Sequence, residues 1–412
     1  MKSDTPRPGR SPLIVIFFTV FIDLIGFGII IPLSPYLARE FHASATEIGM
    51  LMAIYSVMQF LFSPFWGGLS DRIGRRPTLL VSILGGAFAY LIFAFAHSLW
   101  LLFLARALAG LFGGNISIAH AYIADVTKPS ERSKGMGLIG AAFGLGFIVG
   151  PLLGGILGSI GQTLGSAPPF GLSFSALGAA VLCLLNFAFA WIALKESLPP
   201  EKRGQARVKR RRLHEIWYQI QRPKVGGLIF VFFLSGLSMA QMESMLFPFL
   251  ADEFNWGLRT ASYGFAYIGV LMVITQGWLI RKWMPKFGEP LLLAVGLALF
   301  AISLFAIAFS TTVALLGITM TVFALGNGLM RPPNLGMISL LTPAEEQGIT
   351  MGVTNSLASV GRIVGPIAGG LFYEKLGHGA PFITAGVLGV IAFLIILSQY
   401  SGLPVTGKEQ RE

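Results

Sequence analysis

The sequence predicts an all-α integral membrane protein: twelve transmembrane helices in two pseudo-symmetric six-helix bundles. Three observations lead there. Of 412 residues, 54% are hydrophobic and only 12% charged, a composition suited to hydrocarbon rather than water. Apolar runs long enough to cross a bilayer core of roughly 30 Å recur from Leu13 to Ser398. The third is an internal repeat at an offset of 215 residues, in which Thr127, Glu131, Met136, Gly137, Gly146, Gly150, Pro151, Gly154 and Gly155 recur as Thr342, Glu346, Met351, Gly352, Gly361, Gly365, Pro366, Gly369 and Gly370. Parallel repeats of six helices imply a pseudo-two-fold axis along the membrane normal and a central path between the halves.

Taken in order, spans 1 to 6 are expected at 13–36, 46–69, 77–96, 99–125, 135–160 and 172–194. Spans 7 to 12 follow at 225–251, 260–280, 290–309, 312–341, 346–373 and 380–400. Strands are disfavoured, because an open sheet cannot satisfy its backbone in lipid. The domains are then an N-terminal bundle (1–194), a basic central loop (195–224) and a C-terminal bundle with a short tail (225–412). "RRLHEIWYQIQ", at the end of that loop, reads as a short interfacial amphipathic helix. All loop lysines and arginines except Arg39, Arg259 and Lys375 fall in one alternate set of loops. This places both termini and the central loop in the cytoplasm. The net charge of +11 is therefore a topology signal and a contact for anionic lipid, not a nucleic-acid surface. The basic N-terminus lacks a small-residue cleavage site, so the first span is expected to stay attached. Cys183 is the single cysteine, which excludes an intrachain disulfide.

Charge inside a span is costly unless paired or hydrated, which makes it a pointer to function. Five residues qualify: Asp23, Arg106, Glu243, Arg331 and Arg362. Asp23 lies roughly 15 Å into span 1. On span 4, Gly113, Ser117 and His120 share a face with Arg106 at about 100° per residue, with Asn115 pointing elsewhere. Arg106 is expected to tune a nearby acid. On span 7, Glu243 shares its face with Gly236, Met239, Ala240 and Phe247, which suits either a soft pocket for bulky substrates or a helix–helix contact. Arg331 precedes two prolines on span 10, and three arginines against two acids admit an anionic group on the substrate. Gln59 and Asn327 are further polar candidates. "GMGLIG" matches the dinucleotide fingerprint but lacks a preceding strand and a following acid, and is rejected. No nucleophile–base pair or metal-ligand cluster is evident, so no enzyme activity, cofactor or metal is expected.

"GGLSDRIGRRP" after span 2 (Gly67, Asp71, Arg72, Gly74, Arg75, Arg76), "RALAG" on span 4 and "GFIVGPLLGG" on span 5 (Gly146, Gly150, Pro151, Gly154, Gly155) carry a family resemblance. The chain resembles the major facilitator superfamily transporters and is most similar to the twelve-helix drug/proton antiporters. Up to about residue 160 it resembles the tetracycline/proton antiporters in particular. The resemblance implies that Arg75 pairs with Asp125, and that Asp71 faces the start of span 11 near Glu345 and Gly348, a clasp for the outward-open state. It implies a tight inter-half contact at the span 5 glycines, and a cavity lined by spans 1, 4, 7 and 10. Spans 8 and 9 lack the His and Asp that tetracycline antiporters carry there, which argues against a metal-chelated tetracycline. The expected function is proton-coupled export of small amphipathic or hydrophobic compounds by a monomer in the bacterial inner membrane, with protons, the substrate and lipid as partners. The alternatives are a dedicated metabolite or siderophore transporter, an importer, or a non-transporting receptor.

Overall fold

The computed structural model describes residues 12–127, 132–204, 212–343, 346–400 and 403. Lys2, Arg7, Arg10, Lys128, Glu131, Glu345 and most of the central basic run lie outside them. The N-terminal half contains α1 (Pro12–Glu40), α2 (Ala45–Ile73), α3 (Arg75–Ala94), α4 (Leu99–Phe112), α5 (Asn115–Val126), α6 (Arg132–Leu164) and α7 (Phe174–Ala193). After a short α8 (Arg212–Gln221) come α9 (Val225–Phe254), α10 (Leu258–Ile274), α11 (Ile280–Ala308), α12 (Val313–Leu340), α13 (Gln347–Leu376) and α14 (Ala380–Gln399). Among the described residues there is no strand.

Ten helices are long and apolar enough to cross a membrane. The count reaches twelve crossings for two physical reasons. Leu258–Ala308 forms one helical run of 51 residues, about 75 Å long and too long for a single crossing. It is divided at Gly288 (φ 76°, ψ 163°), between Pro285 and Pro290, where the backbone leaves the helix. The loop expected at 281–289 is thus mostly helix, and it takes in Glu289, an acid only 4% exposed. The other missing crossing is α13, whose polar residues, Arg362 among them, lower its hydropathy. Span 4 is also not continuous: α4 and α5 meet at a break over Gly113 and Gly114. The expected amphipathic helix is α8, with Trp217 and Tyr218 outward and Gln219 buried.

The chain divides into two compact units that do not coincide with the sequence halves. One is Met1–Leu33 with Val57–Arg207, the other Ser34–Ser56 with Val208–Glu412. The end of α1 and the start of α2 therefore pack with the C-terminal half. Gly49 lies so close to Pro366 that a Cβ would fall 2.2 Å from its carbonyl oxygen, and Gly370 does the same against Ala45.

The glycine repeat sets the closest helix packing in each unit. On α6, a Cβ at Gly146 would fall 2.7 Å from Leu24 Cβ, and one at Gly150 would fall 2.7 Å from the Gly28 Cα. Gly154 faces Ile29 at 3.3 Å, while Pro151 and Gly155 are buried beside them. These glycines meet α1 of their own bundle. On α13, Gly361 and Gly365 meet Leu237 of α9, and Gly369 meets Gln241. Ala240 and the Gly236 backbone sit in that same contact, whereas a Cβ built on Gly236 itself would meet nothing within 4 Å, which leaves open space on that side of α9. Without side chains, two helix backbones approach closely enough for dispersion to hold them in lipid. Gly150→Ala should therefore lower the stability of the purified protein by about 1–3 kcal/mol in thermal unfolding. Gly140→Ala on the same helix, where a Cβ meets nothing within 4 Å, should be neutral or slightly stabilising.

Candidate functional site

Three places in the fold hold buried or clustered ionisable groups. In the first, α1 carries Asp23 about 16 Å from its start. The break in span 4 sets its surroundings. Ending a helix inside the bilayer leaves carbonyls without donors, and each must be satisfied by protein. Trp66 Nε1 donates to the Leu111 carbonyl at 2.5 Å, Ser82 Oγ to that of Phe112, and Gln59 Nε2 to that of Gly113 at 3.0 Å. Gly114 is packed under Trp66, where a Cβ would fall 2.5 Å from the indole. The break restarts the helical phase at Asn115, whose Nδ2 donates to Asp23 Oδ2. The continuous-helix reading had pointed Asn115 away. It failed because α5 does not inherit the phase of α4. Among the described residues no cation lies within 4 Å of Asp23. Arg106 is buried (2% exposed) on α4. Ser117 Oγ turns back to the Gly114 carbonyl at 2.7 Å, and His120 is exposed.

The second cluster lies at mid-depth in the C-terminal half. Arg331 on α12 and Arg362 on α13 both lie within electrostatic reach of Glu243 on α9, and Arg331 also of Arg362. The guanidinium of Arg331 stands over the Phe232 ring, 5.6 Å from its centroid. Arg362 donates to Ser359 Oγ at 2.9 Å and lies within electrostatic reach of Tyr55. Asn327, one turn from Arg331, directs its Nδ2 to the sulfurs of Met239 and Met272, each at 3.6 Å. Its buried Oδ1 accepts no hydrogen bond. Phe247, on the face of Glu243, is fully buried and packs against Phe265.

The third cluster is the charged turn after α2. Arg75 is 3% exposed. Its Nε donates to Asp125 at 3.0 Å, and its Nη1 to Asp71 at 2.6 Å and to Ser70 Oγ at 2.7 Å. The Arg75–Asp125 pair is the expected one, and Asp71 also closes on Arg75. Gly74 adopts φ 112°, a left-handed value that glycine tolerates. Arg76 donates to the Trp191 carbonyl at 2.7 Å and lies over that indole. Arg72 is exposed, and a Cβ at Gly67 would meet nothing within 4 Å. Glu196, which the sequence did not single out, accepts from the backbone N–H of Arg75 at 2.9 Å and of Arg76 at 3.2 Å. It places an anion at the N-terminus of α3.

A further knot, also missed, ties α1 to the C-terminal ends of α9 and α13 within their unit. Arg39 grips Asp252 through two bonds of 2.8 and 2.6 Å, and Tyr373 donates to the same carboxylate at 2.5 Å. His378 meets Glu253 at 2.6 Å. The only hint in the sequence is that Arg39 is one of three basic residues on a side otherwise without them.

The family described as the Major Facilitator Superfamily matches residues 16–288 and 280–411. The chain is 33% identical over 361 residues to the tetracycline resistance protein, class C, of Escherichia coli, covering 87% of this chain and 88% of that one. It is 28% identical over 418 residues to multidrug resistance protein 2 of Bacillus subtilis (strain 168), covering 98% and 96%. Its fold is similar to the human organic anion transporter MFSD10 (TETRAN), with a TM-score of 0.69 at 25% identity over 95% of this chain and all of that one. The chain belongs to the Major Facilitator Superfamily. It is a membrane transport protein of that superfamily. The likeness to the tetracycline resistance proteins runs through most of the chain and does not stop near residue 160.

The Glu196 cap yields a direct prediction. Glu196→Ala removes the acceptor from two helix-terminal amides, and should destabilise the purified protein by about 1–3 kcal/mol. Thermal unfolding in detergent measures it, with an unchanged melting curve as the contrary result.

Proposed function

We propose that the chain exports small amphipathic or hydrophobic compounds across a bacterial inner membrane in exchange for protons, with both termini in the cytoplasm and one copy sufficing. The observation that carries this reading is Asp23, a carboxyl at mid-depth whose described partner is the neutral amide of Asn115. Such a carboxyl can gain or lose a proton without breaking an ion pair, as a proton carrier in a membrane must. Glu243 differs, since two guanidiniums lie within its reach. Asp23 is thus assigned the coupling proton and Glu243 the charge balance of the C-terminal cluster.

The two ion-pair knots act as latches for opposite states of alternating access. The Arg39–Asp252–Tyr373 knot holds the outer ends of α1, α9 and α13, while the Arg75 network stiffens the cytoplasmic turn for the opposite state. The bidentate geometry at Asp252 supports this, because a two-bond guanidinium–carboxylate pair is directional and forms or breaks as a unit.

In proteoliposomes, substrate should drive proton movement that a lumenal pH dye records. Asp23→Asn should abolish proton-driven accumulation while leaving substrate counterflow within about threefold of wild type. Undiminished accumulation by that variant, or transport unchanged after the proton gradient is collapsed, overturns the coupling assignment.

A further inference from the structure

The end of span 6 holds a cation without an anion. α7 stops at Ala193, so the carbonyls of its last turn need donors from elsewhere. Arg76 supplies one: its Nη2 donates to the Trp191 carbonyl at 2.7 Å. The same guanidinium lies over the Trp191 ring, 5.5 Å from its centroid. Together these contacts use one N–H of the five on a guanidinium. Arg76 Nε is enclosed by protein and has no acceptor. Among the described residues no carboxylate lies within 4 Å of the Arg76 guanidinium. The nearby acids are committed elsewhere. Asp71 and Asp125 both pair with Arg75. Glu196 caps the backbone amides of Arg75 and Arg76 and lies 3.9 Å from Arg203. Lys195, two residues beyond α7, is exposed and adds a second positive charge.

Beside this cation the surface turns apolar. Phe187, Ala188, Trp191 and Ile192 line a groove of about 370 Å³. Trp191 is 56% exposed and Ile192 85%, and the Phe187 ring packs against Trp191 with centroids 5.8 Å apart. Phe187 and Ala188 stand one turn before Trp191 and Ile192, so the groove runs along the helix axis. That is the direction a lipid chain takes beside a membrane span. Arg76 sits at the C-terminal end of the groove, where α7 leaves the membrane. Tryptophan rings favour that boundary, and a long basic side chain keeps its charge there. A phosphate oxygen is well matched to the planar guanidinium. A charge at one end and an apolar channel running from it fit a phospholipid's phosphodiester and acyl chain, whereas a soluble anion would engage only the charge.

We infer that the seam between α3 and α7 holds one anionic phospholipid, with its phosphodiester on Arg76 and an acyl chain along Phe187, Trp191 and Ile192. A net negative headgroup is selected because the protein leaves the guanidinium unbalanced, while a zwitterionic lipid brings an ammonium toward Lys195. Occupied, the site braces the start of α3 against the end of α7, next to the turn that Arg75 holds. It lies within the N-terminal unit and does not depend on Asp23 as the proton carrier.

The test titrates the purified full-length protein, in a neutral detergent, with dioleoyl phosphatidylglycerol or dioleoyl phosphatidylcholine, and counts bound lipid by native mass spectrometry. The two lipids share acyl chains and differ in headgroup charge. The wild type should bind its first phosphatidylglycerol about fivefold tighter than phosphatidylcholine, or better. Arg76→Gln keeps a donor for the Trp191 carbonyl but removes the charge, and should erase that preference, while Arg76→Lys retains most of it. Arg281→Gln removes an equal charge from an exposed position in the other unit, and should leave the preference within about twofold of wild type. Ile192→Ser should weaken both lipids alike. If Arg76→Gln fails to run as a single species, Lys195→Gln takes its place and should lower the preference about twofold. Equal affinity of the wild type for the two lipids overturns the proposal. So does a preference that is lost equally in Arg281→Gln, or one matched by competition from soluble glycerol phosphate at millimolar concentration. An Arg76→Gln variant that melts earlier but keeps the preference also overturns it, and leaves Arg76 as a cap for α7 alone.

Discussion

A carbonyl group left open in hydrocarbon has no water to turn to, and that constraint organises the N-terminal bundle. Span 4 is interrupted at Gly113–Gly114, and three helix-terminal carbonyls are covered by Trp66, Ser82 and Gln59. Those donors come from α2 and α3, so the break ties three helices together at one level. Gly114 fits because Trp66 occupies the volume that a side chain would need. The new phase of α5 brings Asn115 onto Asp23. The amide at the carboxyl is thus a consequence of how a broken helix is kept satisfied.

Much of the fold was legible because membrane insertion leaves coarse marks. Apolar runs, the alternation of basic loops and the repeated glycine pattern each follow from a constraint acting on every residue of a span. The joint at Gly288 was less visible, since helix continues to either side of it and the apolar pattern only blurs. Which helix the glycines meet could not be read either: spacing defines a face, and the partner is set by tertiary packing. Asn115 was misplaced because 100° per residue assumes an unbroken helix. Glu196 and the Arg39–Asp252 pair escaped for a different reason. They join positions separated by 121 and 213 residues, and nothing local marks either end. The Arg75–Asp125 pair, by contrast, was accessible through family resemblance.

Charge is distributed unequally among the three clusters and the Arg39 knot, and the difference is physical. Near the membrane surface, Arg75 has two carboxylates and a serine hydroxyl, and Arg39 has a bidentate partner. These groups can be desolvated because their partners are fixed beside them. At mid-depth on α1, Asp23 has a neutral partner. At mid-depth in the C-terminal half, cations exceed the acid they share. Ionic strength should weigh least on the well-buried pairs and most on the exposed rim.

The position of Cys183 has a practical side. It is fully buried on α7, and its sulfur stands 3.4 Å from where a Cβ on Gly26 would lie, close to Asp23. The chain's single thiol thus packs against α1 about one turn from Asp23. One Cys183→Ser exchange therefore yields a thiol-free background, onto which pairs of spin labels or fluorophores can be introduced at will. Left in place, the native thiol is a reporter: its rate of alkylation measures how often solvent and reagent reach the neighbourhood of Asp23. The protein thus carries an accessibility gauge at that position, with no residue added to install it.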